Sequence, residues 1–272
     1  MRINGDNLSL LQHTYNRAKL VADKIYVVSE IGHIEHVKEQ LHELPDDAFI
    51  IEPGRRGTAN CIVAALAAID DDQLDHEPIA FMHADHYIRD MAGFEYSFRV
   101  AYNAAGANTQ IVLVGVEPDY PATGFGYIKK GTPKGGDGHL IFTVDAFKEK
   151  PSHKLAREYW LSGRYLWNCG YFVATLDTFV SSMRQHAPEL YQNYRRLCDA
   201  SEDNHTETYL SFEPEAIDYA LIEKVDNLLV VPASFDWMDL GSFDDMHKAV
   251  GGDEEGNHVH GRVELEKVQN SF

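Results

Sequence analysis

Thr58–Ile69 reads TANCIVAALAAI, an uncharged and almost wholly apolar run of helical length. A helix with so little polar surface has no face to offer water, so it packs against a sheet and its neighbours. Thr58 is its expected N-cap. Short apolar or β-branched runs recur on either side, with amphipathic stretches between them. They predict strands at Lys24–Ser29, Ala48–Ile51, Pro78–Met82 and Thr109–Val116 (TQIVLVGV). Helices are expected at Leu8–Val21, capped by Asp6 or Ser9, and at Ile31–Leu41 and Met91–Ala105. Several of these strands are apolar on both faces. That marks an α/β fold whose sheet is mostly parallel and covered by helices on both sides.

After Pro121 the pattern changes. Strand-like pieces at Gly126–Lys129, Leu140–Glu149 and Leu166–Ala174 predict an added antiparallel section. Helices are expected at Lys154–Leu161, Leu176–Gln185, Glu189–Leu197 and Pro214–Lys224. A last strand at Asn227–Val231 and a short helix at Ser242–Ala249 follow. Residues 1–250 read as one domain. Gly251–Asn257 (GGDEEGN) is an acidic linker, and His258–Phe272 alternates weakly, so residues 251–272 are expected to be a linker and the start of a β-rich extension.

Twenty-four Lys and Arg stand against 43 Asp and Glu, a net charge of −19 over 272 residues. Such a surface disfavours nonspecific binding to nucleic acid or to an anionic membrane. An anionic substrate would need a local cationic pocket or a metal. Cys61, Cys169 and Cys198 have neither zinc-ligand nor redox spacing and read as thiols in a reducing compartment. With no membrane-length apolar run and no signal peptide, the expected location is the cytoplasm.

Six short segments carry residue types suited to chemistry. Met82–His86 (MHADH) ends a strand, where open α/β sheets bind ligands, and Asp85 there suits Mg²⁺. His83 and His86 have no third partner at zinc spacing. Glu52–Ala59 (EPGRRGTA) joins a strand to the apolar helix, a place for an anion or a base edge. Phe235–Ser242 (FDWMDLGS) offers Asp239, with Asp236 ranked second. Thr123–Tyr127 (TGFGY) puts two glycines around an aromatic, which suits close approach of backbone to a ligand. Phe147–Pro151 (FKEKP) alternates, so Lys148 and Lys150 share a face opposite Glu149 unless the strand bends before Pro151. Trp167–Gly170 (WNCG) opens an apolar strand with an amide and a glycine.

In this order and at this spacing, the six segments resemble the sugar-nucleotide pyrophosphorylases, most closely the mannose-1-phosphate guanylyltransferases. The resemblance runs from about Asp6 to Ala249. It implies a Rossmann-like nucleotidyltransferase fold of the glycosyltransferase-A type. It also implies GTP and mannose 1-phosphate as substrates, with GDP-mannose and pyrophosphate as products. On the same ground Asp85 and Asp239 would hold Mg²⁺ and act in catalysis with Lys150. Glu149, Asn168, Gly170, Thr123, Gly124 and Tyr127 would meet the sugar phosphate, and Glu52, Arg56 and Thr58 the nucleotide. Lys148 is left as an exposed charge. Gly57 and Asn60 depart from the family's EPxGRNTA pattern and its following proline. Family members open with a strand and a GGxGTR loop around the triphosphate, and this chain starts at a segment resembling the one just beyond that loop. Impaired turnover by residues 1–272 alone is therefore expected. The alternatives are a non-catalytic sugar-phosphate-binding or regulatory homologue, or a transferase for another hexose 1-phosphate. A homodimer is left open.

Overall fold

The computed structural model describes residues 8–69, 76–134 and 140–241, and after these 245, 247, 249, 255–257, 259, 262–269 and 271. Its centre is β5 (Val112–Val116), whose first residues are fully buried. Leu113 faces one apolar cluster while Val112 and Val114 face another, so the strand has a core on each side. Around it runs a six-stranded sheet in the order β3 (Pro78–Phe81), β8 (Tyr165–Thr175), β5, β9 (Leu229–Pro232), β7 (Phe142–Lys148), β6 (Tyr127–Pro133). β8 also reaches β6. Two smaller ladders stand apart: β1 (Val27–Glu30) parallel with β2 (Phe49–Glu52), and β4 (His86–Tyr87) antiparallel with β10 (Met238–Asp239).

The α/β expectation holds, but the sheet is mixed. Only β5–β9 and β1–β2 are parallel among the described residues, whereas β8 runs antiparallel to β3, β5 and β6. The two-faced apolar pattern of Thr109–Val116 arises because helices cover both faces, which antiparallel neighbours also permit. On one face lie α3 (Gly57–Ala68), α6 (Leu176–His186) and α7 (Pro188–Cys198). On the other lies α4 (Met91–Ala107), capped by Asp90 through the Gly93 N–H.

The first described helix, α1 (Leu10–Ala18), is capped by Ser9; Asp6, the other expected cap, lies outside the described residues. Gln12 N–H donates to the Ser9 hydroxyl, and Ser9 N–H donates to the Gln12 side chain. This reciprocal pair satisfies two backbone donors that the first turn leaves free. The second helix, α2 (Ile34–Gln40), and α5 (His153–Ser162) fall where expected; Ser152 caps α5 and Gly163 ends it.

Three expectations are corrected. Thr58 does not cap α3, which begins at Gly57 with Arg56 before it; the Thr58 hydroxyl instead accepts from the Ile217 N–H at 2.9 Å. The helix expected over Pro214–Lys224 is reduced to a turn, α9 (Ile217–Ala220), and a short 3-10 segment. Its first part stays extended because Glu215 exchanges backbone hydrogen bonds with Arg56 and Ala59 at the start of α3. A helix also forms at Glu202–Leu210 (α8), where the acidic sequence shows little apolar periodicity. Most of Ser242–Ala249 lies outside the described residues, as do 251–254 and several positions after them, and the described residues from 255 onward include no strand.

Candidate active site

The site forms where β8 breaks register. Val114 pairs with Tyr171, but the next residue, Gly115, pairs with Asn168, so Cys169 and Gly170 bulge out of the ladder. Bulges re-aim side chains at sheet rims. Gly170 has φ +68, a left-handed conformation that glycine adopts without strain. A methyl group there would sit 2.4 Å from His83 Nε2, so the bulge is also the seat of the His83 ring. Asn168 is locked at both ends of its amide. Nδ2 donates to Asp218 Oδ1 at 2.8 Å, and Oδ1 accepts from Gly170 N–H at 3.1 Å.

Glu149 and Lys150 approach from the end of β7. The expected bend is present: β7 stops at Lys148, and Lys150 takes φ +44. A non-glycine residue in that region costs about 1–3 kcal/mol and persists only where its surroundings impose it. The turn brings Lys150 Nζ to 3.6 Å from Glu149 Oε1. The Glu149 N–H donates to Glu223 Oε1 at 2.9 Å, and Lys148 reaches the same oxygen at 3.5 Å. Glu149 is tucked over Gly126, where a methyl group would meet its Oε2 at 2.4 Å, and Asn168 N–H donates to the Gly126 carbonyl. Burial pushes the Glu149 carboxyl up to about 7, the Asp218 charge adds to the rise, and Lys150 partly offsets it.

The β4–β10 ladder sets Asp239 opposite His86, the residue after Asp85. The Asp239 carboxyl is held above its usual range by burial first and by the Asp85 charge second, with His83 and Lys150 opposing. Asp218 is raised by burial, with Asn168, His83 and Lys150 pulling the other way. Asp85, Asp239, Asp218, Glu149, Lys150 and His83 thus form one electrostatically coupled group. The turn that carries Asp85 is braced by α1. Thr14 donates to the Ala84 carbonyl at 3.1 Å, and the buried Arg17 donates to the His86 carbonyl at 2.9 Å. His86 itself is committed to the core: its Nδ1 lies 2.8 Å from the Tyr171 hydroxyl, and burial drives its pKa down to about 2.

Thr123 and Gly124 are exposed on the turn before β6, and a methyl group on Gly124 would meet nothing within 4 Å. Beside them, Tyr120, Phe125, Trp167 and Trp237 pack edge to face. Tyr127 does not join this surface. Its side chain is fully buried, and its hydroxyl donates to the Ala122 carbonyl at 2.9 Å, so it anchors the turn from beneath.

The Glu52–Thr58 loop is also more occupied than expected. Arg56 donates from Nε and Nη2 to the Leu210 carbonyl at 3.1 and 2.7 Å, tying the loop to the end of α8. Glu52 accepts from the Tyr209 hydroxyl and from the Cys61 thiol. Thr58 holds Ile217, which sets Asp218 beside the loop. These three side chains are engaged within the protein, and they buttress the α9 side of the site. Asp236 is likewise structural. It accepts from the N–H groups of Arg89 and Asp90 and from the Arg89 guanidinium at 2.8 Å, which outweigh burial and hold its carboxyl below the usual range.

Sequence reasoning missed Asp218, Glu223 and the bracing pair Thr14 and Arg17. Asp218 and Glu223 sit in a stretch read as an amphipathic helix, where carboxylates normally face water. Arg17 has no local signal, because nothing in its neighbours marks a cation as buried.

Asp85 and Asp239 are oxygen donors, and the Asp85 charge acts on the Asp239 carboxyl, an arrangement that fits a hard divalent cation. Mg²⁺ is commonly held by one or two carboxylates, with substrate phosphates completing its shell. Among the described residues no group of three or more His, Cys, Asp or Glu could hold a metal on its own. No helix there is long and apolar enough to cross a membrane.

Comparison with known proteins agrees with this architecture. The chain is 31% identical to the mannose-1-phosphate guanylyltransferase of Escherichia coli K12 over 281 aligned residues, which cover 99% of the chain and 58% of that protein. It is 32% identical to mannose-1-phosphate guanylyltransferase ManC of Salmonella typhimurium, with the same coverage. A crystal structure from Thermus thermophilus, described as a mannose-1-phosphate geranyltransferase, superposes with a TM-score of 0.80 at 27% identity, covering 93% of this chain and 72% of that one. The chain thus spans rather more than half the length of the curated relatives it matches. The family model for nucleotidyl transferases matches residues 2–256, and the chain belongs to that family.

Proposed function

We propose that this protein transfers GMP from GTP to mannose 1-phosphate, releasing GDP-mannose and pyrophosphate, in the cytoplasm and with Mg²⁺. The observation that carries the reading is the convergence of Lys150 and Glu149 from β7, Asn168 and Gly170 from the β8 bulge, and Asp85 and Asp239 from the β4–β10 ladder. The names of the relatives supply the sugar and the base.

In this reading a phosphate oxygen of the sugar phosphate attacks the α-phosphorus of GTP. The new P–O bond forms as the bond to the β-phosphate oxygen breaks, and the electron pair leaves with pyrophosphate. No covalent intermediate is required, so the protein's work is alignment and charge neutralisation. Asp85 and Asp239 would hold the cation, which, when bound, neutralises phosphate charge. Lys150, more than half exposed and facing the pocket's carboxylates, takes the sugar phosphate. Glu149, poised near neutrality, accepts from or donates to a sugar hydroxyl. Thr123 and Gly124 leave backbone open on the near side.

The acceptor pocket lies wholly within the described residues, so binding tests it directly. Calorimetry with mannose 1-phosphate should give a Kd that weakens about 10- to 100-fold in Lys150→Ala, the range for losing a hydrogen bond to a charged group. Lys154→Ala, on the exposed start of α5, should leave it unchanged. Equal effects of the two variants would sink the assignment.

A further inference from the structure

The side chain best placed to read the acceptor is one that no sequence motif marks. Asn168 has one amide N–H committed to Asp218 and its oxygen committed to Gly170 N–H. Asp218 stands at the other side of that bond, on the α9 turn. The turn is itself pinned by Thr58 through Ile217 N–H and by Glu215 pairing with Arg56 and Ala59. Its carboxylate is half-buried, and among the described residues no cation forms an ion pair with it. Its hydrogen bond from another side chain is the single N–H of Asn168. A carboxylate held this rigidly, with several acceptor sites and one side-chain donor, is suited to accept from a hydroxyl.

We infer that Asp218 is a sugar-binding residue, whose carboxylate accepts a hydroxyl of the acceptor, and that Asn168 serves as the positioning residue that aims it. This rests on the acceptor pocket proposed above. It divides labour within that pocket: Lys150 takes the phosphate, and Asp218 reads a hydroxyl other than the one that meets Glu149. Inorganic phosphate, which lacks hydroxyls on carbon, should then be indifferent to Asp218.

The test is titration calorimetry on the full chain with three ligands: mannose 1-phosphate, its monodeoxy analogues and inorganic phosphate. In the wild type, the deoxy analogue that lacks the hydroxyl met by Asp218 should bind about 10- to 100-fold more weakly than mannose 1-phosphate, the range for a hydrogen bond to a charged group. Asp218→Asn should weaken mannose 1-phosphate by a similar factor, leave that one deoxy analogue unchanged, and leave inorganic phosphate unchanged. A purely structural role would weaken all ligands together. Asn168→Ala separates the two residues. If Asp218 reads the sugar itself, adding Asp218→Asn to that background costs binding again. Should Asp218→Asn fail to fold, the wild-type analogue series still decides: if no missing hydroxyl weakens binding, the inference is wrong. A wild type that binds mannose 1-phosphate, with an Asp218→Asn variant that binds it equally well, overturns the inference and leaves the function standing. A wild type that binds none of the sugar phosphates overturns the function and the inference with it.

Discussion

Glu149→Gln should change how stability depends on pH, and in a direction opposite to the one set by His86. The Glu149 carboxyl rises from 4.5 to about 7 on folding, because burial and the Asp218 charge disfavour the ion. Between those values the native state holds a proton that the unfolded chain has released. Stability conferred by the protonated form is therefore complete below pH 4.5 and is lost as pH climbs through 7. At about 1.36 kcal/mol per unit the shift corresponds to at most about 3.4 kcal/mol. Water on the exposed Lys150 side reduces that, and about 1.5–3 kcal/mol is expected. His86 acts the other way. Its folded pKa of about 2 lies far below its ordinary 6.5, so stability is lost as pH falls below that ordinary value. The wild-type curve sums both slopes and reveals neither. The difference between wild type and Glu149→Gln removes the His86 contribution. Urea unfolding from about pH 4.5 to 8 should show the wild type losing about 1.5–3 kcal/mol relative to the variant as pH rises, then a plateau above about 7. A flat difference would mean that Glu149 ionises as it does in water, and the buried, coupled carboxylate described here would be wrong.

Gly170→Ala should cost about 1–2 kcal/mol from the left-handed backbone alone and should also dislodge His83; a thermal melt with mannose 1-phosphate titration should show binding falling more than stability predicts. Tyr127→Phe removes a buried hydroxyl bonded to Ala122 and should lower stability by about 1–2 kcal/mol with no change in mannose 1-phosphate affinity; a weakened affinity would restore Tyr127 to the site. Asp236→Ala should destabilise the start of α4 while leaving Mg²⁺ binding by calorimetry intact, whereas Asp239→Asn should abolish Mg²⁺ binding; the reverse pattern would exchange the two assignments.

Much of the architecture was legible because core-forming runs carry their own periodicity. The almost wholly apolar α3 and the two-faced β5 follow directly from TANCIVAALAAI and TQIVLVGV. The bend at Lys150 was legible too, since alternation alone separates Lys150 from Glu149. What local pattern does not encode is the use of a side chain by a distant segment. Arg56 reads as an anion-binding cation, yet it spends its donors on Leu210, 154 residues away. Glu52 reads as a ligand contact and meets Tyr209 instead. Asp218 reads as a helix-surface carboxylate and instead accepts from Asn168, because Thr58 and Glu215 hold its turn open. The direction of β8 was equally hidden. An apolar strand has the same composition whichever way its neighbours run.

The bulge in β8 contains two residues, and that count matters for how such a chain can diverge. Side chains along a strand alternate with a period of two. One inserted residue would turn every later side chain of β8 to the opposite face. Two leave the alternation in phase: Leu166 before the bulge and Phe172 and Ala174 after it all join the same apolar cluster. The core therefore does not register the insertion, while Asn168 and Gly170 gain a backbone shape that no regular strand provides. A substitution at Asn168 can therefore alter the shape of the proposed pocket while the packing of the sheet stays constant on either side, provided that position 170 remains glycine.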